Sequence, residues 1–297
     1  MTKISILSAV FNEENYISEM IDSVLRQTHQ DFELIFVDDA SNDKTVDIIK
    51  SYASIDPRIK LVSRGIKLGK VAAFNLAFEK SAGDCIILLA GDDVLPPDSL
   101  EVRARHVNPD NIPQHETAIA YFKLKMFSQV KKFDGLVVPR GNKANRSGGT
   151  FIMNRALANM LFPIDIRLAT EDIWLATLAE MLSAKFIEVP YVVLDYRIHQ
   201  GNSNPRHLNF REMNVALNRR FKTYEYLIES KANILSPDQV RRLARLSLLE
   251  EYRYEGNIRR LIAGEGVSIK QRMFLIFHST PILFYIRQRL FKLFSGW

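Results

Sequence analysis

The chain has 297 residues, 47% hydrophobic and 25% charged, which excludes a low-complexity or disordered protein and predicts one large domain or two smaller ones. A single cysteine, Cys85, excludes an internal disulfide and favours a reducing compartment. The net charge of +6 is uneven: from Arg211 onward there are 16 Lys and Arg against 8 Asp and Glu, so the last third is predicted to meet an anionic partner, either a membrane surface or nucleic acid.

Apolar runs and helical patterns alternate through the first hundred residues. The patterns predict strands at 4–10, 33–41, 59–63 and 84–93, and helices at 13–27, 42–53 and 69–83. Ser41 or Asn42 is expected to cap the second helix, and Gly83 to end the third. Strands that alternate with helices predict a parallel sheet with right-handed crossovers.

Polar residues follow three of these strands, where a parallel sheet binds its ligands. They are Asn12 and Glu13 after the first strand, Asp38 and Asp39 after the second, and Asp92 and Asp93 after the fourth. Neighbouring carboxylates repel one another unless a cation lies between them. Because no GxGxxG or GxxxxGK[ST] motif is present, any phosphate must be held in another way, and acidic residues around a divalent metal are one such way.

The rest of the chain is less regular. Strands are predicted at 118–128 and 133–139, a helix capped by Thr170 at 170–182, and two strands within 185–204 that run into a polar loop. The chain is mostly helical from Asn209. The segment 273–286, MFLIFHSTPILFYI, is too short to span a membrane and is expected to form either a buried or an interfacial helix.

Five stretches in this order resemble the motifs of the inverting GT-A glycosyltransferases of family 2. They are SAVFNEENYISEMIDSVLRQTHQDFELIFVDDASNDKT, GKVAAFNLAFEKSAGD, GDDVLPP, TEDIWL and YRIHQGNSN. The resemblance implies an α/β fold of the GT-A type, a Rossmann-like, mostly parallel sheet flanked by helices, with a C-terminal helical extension. It also implies a nucleotide-sugar-binding half at 1–100, an acceptor-binding half at 101–208 and a basic helical region at 209–297.

The resemblance also assigns roles to individual residues. It implies a nucleotide site made by Ala9, Phe11, Glu13, Asp39 and Asp92. It implies that Asp93 and His199 hold Mn²⁺ or Mg²⁺ against the donor diphosphate, and that Asp172 is the general base. Arg155 and Arg197 either bind the diphosphate or pair with nearby acids, and Trp174 is expected in the core.

The expected activity is inverting transfer of a sugar from a nucleotide donor, a UDP-sugar, to a glycan or polyprenyl-linked acceptor in bacterial polysaccharide assembly. The expected location is the cytoplasm, with peripheral contact to an anionic membrane and none to nucleic acid. Ala90 stands where the family often has an acid, which keeps a non-catalytic nucleotide-sugar-binding protein as an alternative. A sugar nucleotidyltransferase is a further alternative, although no glycine- and arginine-rich phosphate loop follows the first strand.

Overall fold

The computed structural model describes residues 2–108, 112–113, 115–128, 133–199 and 208–295. The chain divides into a first unit, Met1–His199, and a second unit, Gln200–Trp297. The strands described in the first unit are β1 (Ile4–Val10), β2 (Phe32–Asp38), β3 (Ile59–Ser63), β4 (Cys85–Leu88), β5 (Ala118–Ser128), β6 (Val137–Val138), β7 (Phe151–Asn154) and β8 (Lys185–Ile198). Its helices are α1 (Ile17–Leu25), α2 (Thr45–Ala53), α3 (Lys70–Glu79), α4 (Ser99–Val107), α5 (Arg155–Leu161) and α6 (Asp172–Leu182).

These strands form one sheet in the order β3-β2-β1-β4-β7-β5-β6, with β8 paired to β5. The β1–β2, β2–β3, β1–β4 and β5–β8 pairs are parallel, and β7 is antiparallel to both β4 and β5. The predicted mostly parallel sheet is therefore confirmed. Because β2, β1 and β4 are neighbours, their carboxyl ends meet at one edge, where the predicted polar residues lie.

Burial on both faces explains why the central strands are nearly continuous apolar runs. All seven residues of β2 and all four of β4 are buried. Helix α1 buries Ile17, Met20, Ile21 and Val24, which recur at the spacing of one helical face. The buried core keeps the sheet rigid, so that its loops can hold site residues in place.

The predicted cap of α2 is wrong. The helix begins at Thr45, and neither Ser41 nor Asn42 caps it. Both are engaged by the loop after β1: the Asn12 backbone N–H donates to Ser41 Oγ at 3.0 Å, and the Asn42 N–H donates to Asn12 Oδ1 at 2.9 Å. Asp43 Oδ1 accepts from the Thr45 N–H instead. Contacts with the loop after β1 therefore involve residues 41 and 42, and Asp43 binds the backbone at the start of the helix.

Two other helix ends also differ from the sequence prediction. Helix α3 ends at Glu79, because Gly83 packs on β1: a Cβ at Gly83 would lie 2.6 Å from Ser5 Oγ. Helix α6 begins at Asp172, and Thr170 does not cap it, since its hydroxyl donates to Asp172 Oδ1 at 2.9 Å.

The segment predicted as two strands forms one, β8, which pairs with β5 along its whole length. Its register with β5 shifts between Glu188 and Val192, the stretch that contains Pro190. Proline has no N–H to donate to a neighbouring strand, so the chain forms an irregularity there rather than a reversal. The polar loop predicted after it, 200–207, lies outside the described residues.

The second unit is helical where it is described, as predicted. Its helices are α7 (Phe210–Phe221), α8 (Thr223–Lys231), α9 (Pro237–Tyr254), α10 (Ile258–Ala263), α11 (Ile269–Phe277) and α12 (Pro281–Ser295). Helices α7, α9 and α11 each start with a capping box. The buried Arg253 guanidinium binds both Glu250 oxygens and the His278 carbonyl. Among the described residues, no helix is both long and apolar enough to cross a membrane.

Candidate active site

The two aspartates after β2 point to different partners. Asp38 Oδ1 accepts from the Ser41 N–H and Oδ2 from the Ser63 hydroxyl, both at 3.0 Å, so this carboxylate braces the loop and β3. Asp39 Oδ1 accepts from the Leu68 and Gly69 N–H groups at 2.5 and 2.8 Å. Asp39 therefore holds the segment that leads into α3.

A lysine that the sequence analysis missed lies beside the predicted nucleotide site. The Lys67 ammonium is 3.4 Å from Asp39 Oδ2 and 2.9 Å from the centre of the Phe11 ring, which is 44% exposed. Ala9, near the end of β1, is only partly buried. An exposed aromatic ring, a cation and a carboxylate lie together here, and this combination suits a flat, polar ring.

Glu13 approaches the loop after β4 closely. A Cβ at Gly91 would lie 2.9 Å from Glu13 Cγ, so a larger residue at position 91 would push this side chain away. Burial, and the negative charges of Asp92 and Asp43, raise the pKa of Glu13 to about 8. The carboxylates at the ends of β1 and β4 are thus close enough to repel one another.

Asp92 contacts the predicted metal ligand at the end of β8. His199 Nε2 lies 2.8 Å from Asp92 Oδ2, although the two residues are 107 positions apart in sequence. The Tyr16 ring packs on the His199 ring with centres 4.8 Å apart. A carboxylate oxygen and an imidazole nitrogen at this spacing can bind one divalent ion together, since both are ligands of such ions.

Asp93 contacts the backbone of β8. It is 3% exposed, and its Oδ1 accepts from the Arg197 N–H at 3.0 Å. Burial beside Asp92 raises the pKa of Asp93 well above its usual value. The geometry thus separates the two aspartates: Asp92 contacts the histidine, and Asp93 binds the backbone of β8.

Arg197 connects these groups to the first helix. Its Nε donates to the Asp92 carbonyl at 2.7 Å, and its Nη2 binds Glu19 Oε2 at 2.5 Å. The guanidinium lies between the Tyr16 and Phe127 rings, 4.8 and 4.3 Å from their centres. Arg197 thus pairs with a nearby acid, which is one of the two roles expected from the sequence.

The start of α6 brings a second acidic pair to the same edge. Asp172 is partly exposed, and its Oδ1 accepts from the Thr170 hydroxyl and the Ile173 N–H, both at 2.9 Å. Glu171 is 5% exposed, and its Oε1 lies 3.0 Å from the Lys70 ammonium. Burial opposes the charge of Lys70, but the carboxylates of Glu171, Asp172 and Asp92 raise its pKa above the usual value.

Lys70 was missed by the sequence analysis, although a signal was present. It is the first residue of α3, where the helix dipole disfavours a cation. A lysine in that position indicates nearby negative charge, and here that charge comes from both acidic pairs. Lys70 thereby places the Asp92 and Asp172 regions within electrostatic reach of each other.

Two other predictions about single residues can be compared with the structure. Trp174 is fully buried and its indole N–H donates to the Leu161 carbonyl at 2.8 Å, so its predicted core role is confirmed. The Arg155 guanidinium donates to the Gly83 carbonyl and the Ser81 hydroxyl, rather than to a carboxylate.

The protein's own contribution to a metal site is small. Among the described residues, no group of three or more His, Cys, Asp or Glu is arranged to hold an ion. The Asp92–His199 pair supplies one oxygen and one nitrogen. That number fits a Mg²⁺ or Mn²⁺ ion whose other ligands are substrate phosphates and water, the usual arrangement when a metal binds with its substrate.

Comparison with known proteins identifies related sequences. An uncharacterized glycosyltransferase of Haemophilus influenzae is 34% identical over 148 residues, which are 48% of this chain and 59% of the relative. The chain thus spans less than two thirds of that protein.

Two solved structures resemble this fold at 16% identity. Residues 1–349 of S. aureus TarS align with a TM-score of 0.62, over 94% of this chain and 81% of that one. The mannosyltransferase PcManGT from Pyrobaculum calidifontis, solved with GDP-Man and Mn²⁺, aligns with a TM-score of 0.60 over 99% and 88%. These likenesses show the GT-A fold.

The model of the glycosyl transferase family 2 matches residues 5–162, which is more than half of the chain and runs from β1 through α5. That range includes the three strand ends with their acidic residues, and the residues beyond it add the Asp172 and His199 ends of the site. The chain therefore belongs to glycosyl transferase family 2.

Proposed function

We propose that this protein transfers a sugar from a nucleotide donor, a UDP-sugar, to a hydroxyl of a glycan or polyprenyl-linked acceptor, with inversion at the anomeric carbon. The observations that carry the proposal are the Asp92–His199 contact after β4 and the contacts at the start of α3, where Gly69 binds Asp39 and Lys70 lies 3.0 Å from Glu171, the neighbour of Asp172. Solved relatives of this fold support it, because TarS has been crystallised with UDP-GlcNAc and PcManGT with GDP-Man.

The nucleotide is assigned to the ends of β1 and β2. The base would stack on the exposed Phe11 ring, with Ala9 beside it and the Asp39 carboxylate as an acceptor for its ring N–H. Lys67 covers the same ring and would have to move aside. Glu13, close to Gly91, would line the ribose side.

The diphosphate is assigned to the Asp92–His199 pair. A bound Mn²⁺ or Mg²⁺ would stabilise the negative charge that develops on the leaving diphosphate. Asp92 and His199 would hold the ion, while Asp93 and Arg197 would keep the turn after β4 in position. The role of metal ligand, predicted for Asp93 from the sequence, thus passes to Asp92 in this proposal.

The acceptor hydroxyl is assigned to Asp172. Its carboxylate takes the hydroxyl proton as the acceptor oxygen bonds to the anomeric carbon, and the bond from that carbon to the diphosphate breaks with its electrons staying on the diphosphate. One displacement without a covalent enzyme intermediate inverts the anomeric centre. The Thr170 hydroxyl fixes the Asp172 carboxylate for this step.

A polyprenyl-linked acceptor would place this reaction at the inner face of the cell membrane. The cytoplasmic location that the sequence predicted is retained in the proposal, together with a role in surface polysaccharide assembly.

A thermal-shift screen of nucleotide sugars tests the proposal. A donor at one hundred times its Kd stabilises the protein by about 2.7 kcal/mol, which raises Tm by roughly 4 °C for a chain of this size. We expect this shift with a UDP-sugar and Mn²⁺, together with slow release of UDP. A rise in Tm with no release of UDP, whichever acceptor is added, would instead identify a non-catalytic nucleotide-sugar-binding protein. Turnover of a nucleoside triphosphate with a sugar phosphate would identify a nucleotidyltransferase.

Changing Arg197 to Lys tests its role in positioning the metal ligands. A lysine cannot bind the Asp92 carbonyl and Glu19 at once and stack as a planar group. We expect the Mn²⁺ concentration for half-maximal UDP binding to rise about tenfold, the lower end of what supporting residues of metal sites contribute. Calorimetric titration of UDP at a series of Mn²⁺ concentrations measures this.

Arg58→Lys is a matched control for that variant. Arg58 also binds a carboxylate, that of Asp56, and lies 4.3 Å from the centre of the Phe32 ring, but outside the site. Both variants should lose similar thermal stability, and only Arg197→Lys should change the Mn²⁺ requirement. If the two variants need the same Mn²⁺ concentration for half-maximal UDP binding, Arg197 has a structural role only.

A further inference from the structure

Helix α12 carries apolar side chains that are exposed to solvent. Ile282, Tyr285 and Ile286 are 74%, 49% and 43% exposed. Spacings of three and four residues put them on one face of the helix, and Arg289, also exposed, continues the same face. We call these four residues the outer face of α12.

The opposite side of the same helix is already occupied. Phe284 is 3% exposed, and its ring contacts those of Phe210 and His278, with centres 5.9 and 6.3 Å apart. Helix α12 therefore has apolar residues both toward the unit and away from it. A helix that packed only on its own protein would carry polar residues on its outer side.

The neighbouring helix α11 shows the same property. Six of its nine residues are apolar, and none is buried. Ile269 and Met273, one helical turn apart, are 84% and 46% exposed. Helices α11 and α12 are in contact, so these side chains enlarge the apolar surface of this end of the unit. Exposed apolar side chains on two neighbouring helices indicate an interaction site.

The charge of this region is of one sign. The sequence contains no Asp or Glu after Glu265, and Lys270, Arg272, Arg287, Arg289 and Lys292 are spread through the two helices. Lys270 and Arg289 are exposed, while Arg272 is turned back onto the Ile262 and Gly264 carbonyls. A partner must therefore accept apolar side chains and cations together.

We propose that the outer face of α12, with Ile269 and Met273 of α11, binds the surface of an anionic phospholipid bilayer. The apolar side chains would enter the boundary between headgroups and acyl chains, and the cations would lie among the headgroups. Each cation near such a surface contributes about 1 kcal/mol. A second copy of the chain is the less favourable occupant, because a two-fold contact through this face would bring like charges together.

Flotation of the full chain with vesicles tests this proposal. Vesicles of phosphatidylcholine with 30% phosphatidylglycerol should carry the protein upward, and pure phosphatidylcholine should carry at least fivefold less. Raising the salt to 1 M should weaken the binding, because the screening length falls to about 3 Å. The variant Ile282→Asp/Ile286→Asp should bind the anionic vesicles at least tenfold less. Both changes are at exposed positions, so the fold should persist, which circular dichroism checks.

Ile55→Asp/Ile166→Asp is the matched control. These isoleucines are 85% and 71% exposed in the first unit, and the substitution adds the same charge. The control should float like the unchanged protein. Equal flotation of all three proteins would overturn the proposal. A dimer in light scattering that the Ile282→Asp/Ile286→Asp variant alone loses, without any flotation, would assign the face to a second copy instead.

Discussion

Asp172→Asn is expected to reduce sugar transfer by about two to four orders of magnitude, the usual contribution of a positioned general base. Asparagine keeps the shape of the side chain and can still accept from the Thr170 hydroxyl and the Ile173 N–H. It cannot take up the proton of the acceptor. Donor binding should change little, because the nucleotide and metal groups lie on other elements. Transfer is measured with saturating donor, and donor affinity by calorimetry.

Two further variants sharpen this test. Asp47→Asn removes an exposed acid from the first turn of α2, so it matches the loss of charge at a helix N-terminus without touching the site. It should transfer normally. Thr170→Val removes one of the groups that orient Asp172 and should lower transfer by about tenfold, the cost of roughly one hydrogen bond. If Asp172→Asn retains transfer within tenfold of the unchanged protein, another group is the base.

Asp92→Asn is expected to weaken Mn²⁺-dependent UDP binding by about a hundredfold or more, because even residues that only support metal ligands contribute ten- to a hundredfold. The amide oxygen is a neutral, weaker ligand, and the His199 ring loses its charged partner at 2.8 Å. UDP binding without metal should be nearly unchanged. Titration of UDP with and without Mn²⁺ separates the effect on metal-dependent binding from the effect on nucleotide binding. The electron paramagnetic resonance signal of free Mn²⁺ measures metal binding directly.

The adjacent residue provides the control and the contrary outcome. In Asp93→Asn the amide oxygen can still accept from the Arg197 N–H, so we expect less than a tenfold change in Mn²⁺-dependent UDP binding. The family resemblance assigned the metal to Asp93, and our proposal assigns it to Asp92, whose Oδ2 lies 2.8 Å from His199 Nε2. A larger loss in Asp93→Asn than in Asp92→Asn would restore the first assignment.

The sequence was most informative where apolar runs alone determine structure. The bounds of β1, β3 and β5 agree with their predictions to the residue, since each is a short buried or half-buried run with polar ends. Helix caps were less predictable. The Asn42 N–H donates to Asn12 in the loop after β1, and the local sequence around Asn42 does not indicate this contact.

Within the site, the sequence indicated which residues meet but not how their side chains are used. In the pairs after β2 and β4, the two neighbouring aspartates have different partners. Asp38 and Asp93 contact Ser63 and the backbone of Arg197, whereas Asp39 and Asp92 contact Lys67 and His199. Neighbouring residues point in different directions, and the partners come from distant parts of the chain. The contact of Lys70 with Glu171 and the different partners of Asp92 and Asp93 therefore could not be predicted from the sequence.

The Asp92–His199 contact also has a consequence for the timing of biosynthesis. Its two partners are 107 residues apart, and β8, which precedes His199, is the last strand of its unit. At 5–20 residues per second, a ribosome needs on the order of 5–20 s to add the second partner after the first. During that interval β1 to β4 can already pair, and the aspartate turn emerges without its imidazole. A nascent chain halted before β8 would thus contain β1 to β4 and lack the histidine, so the order of translation delays the Asp92–His199 contact until β8 has been made.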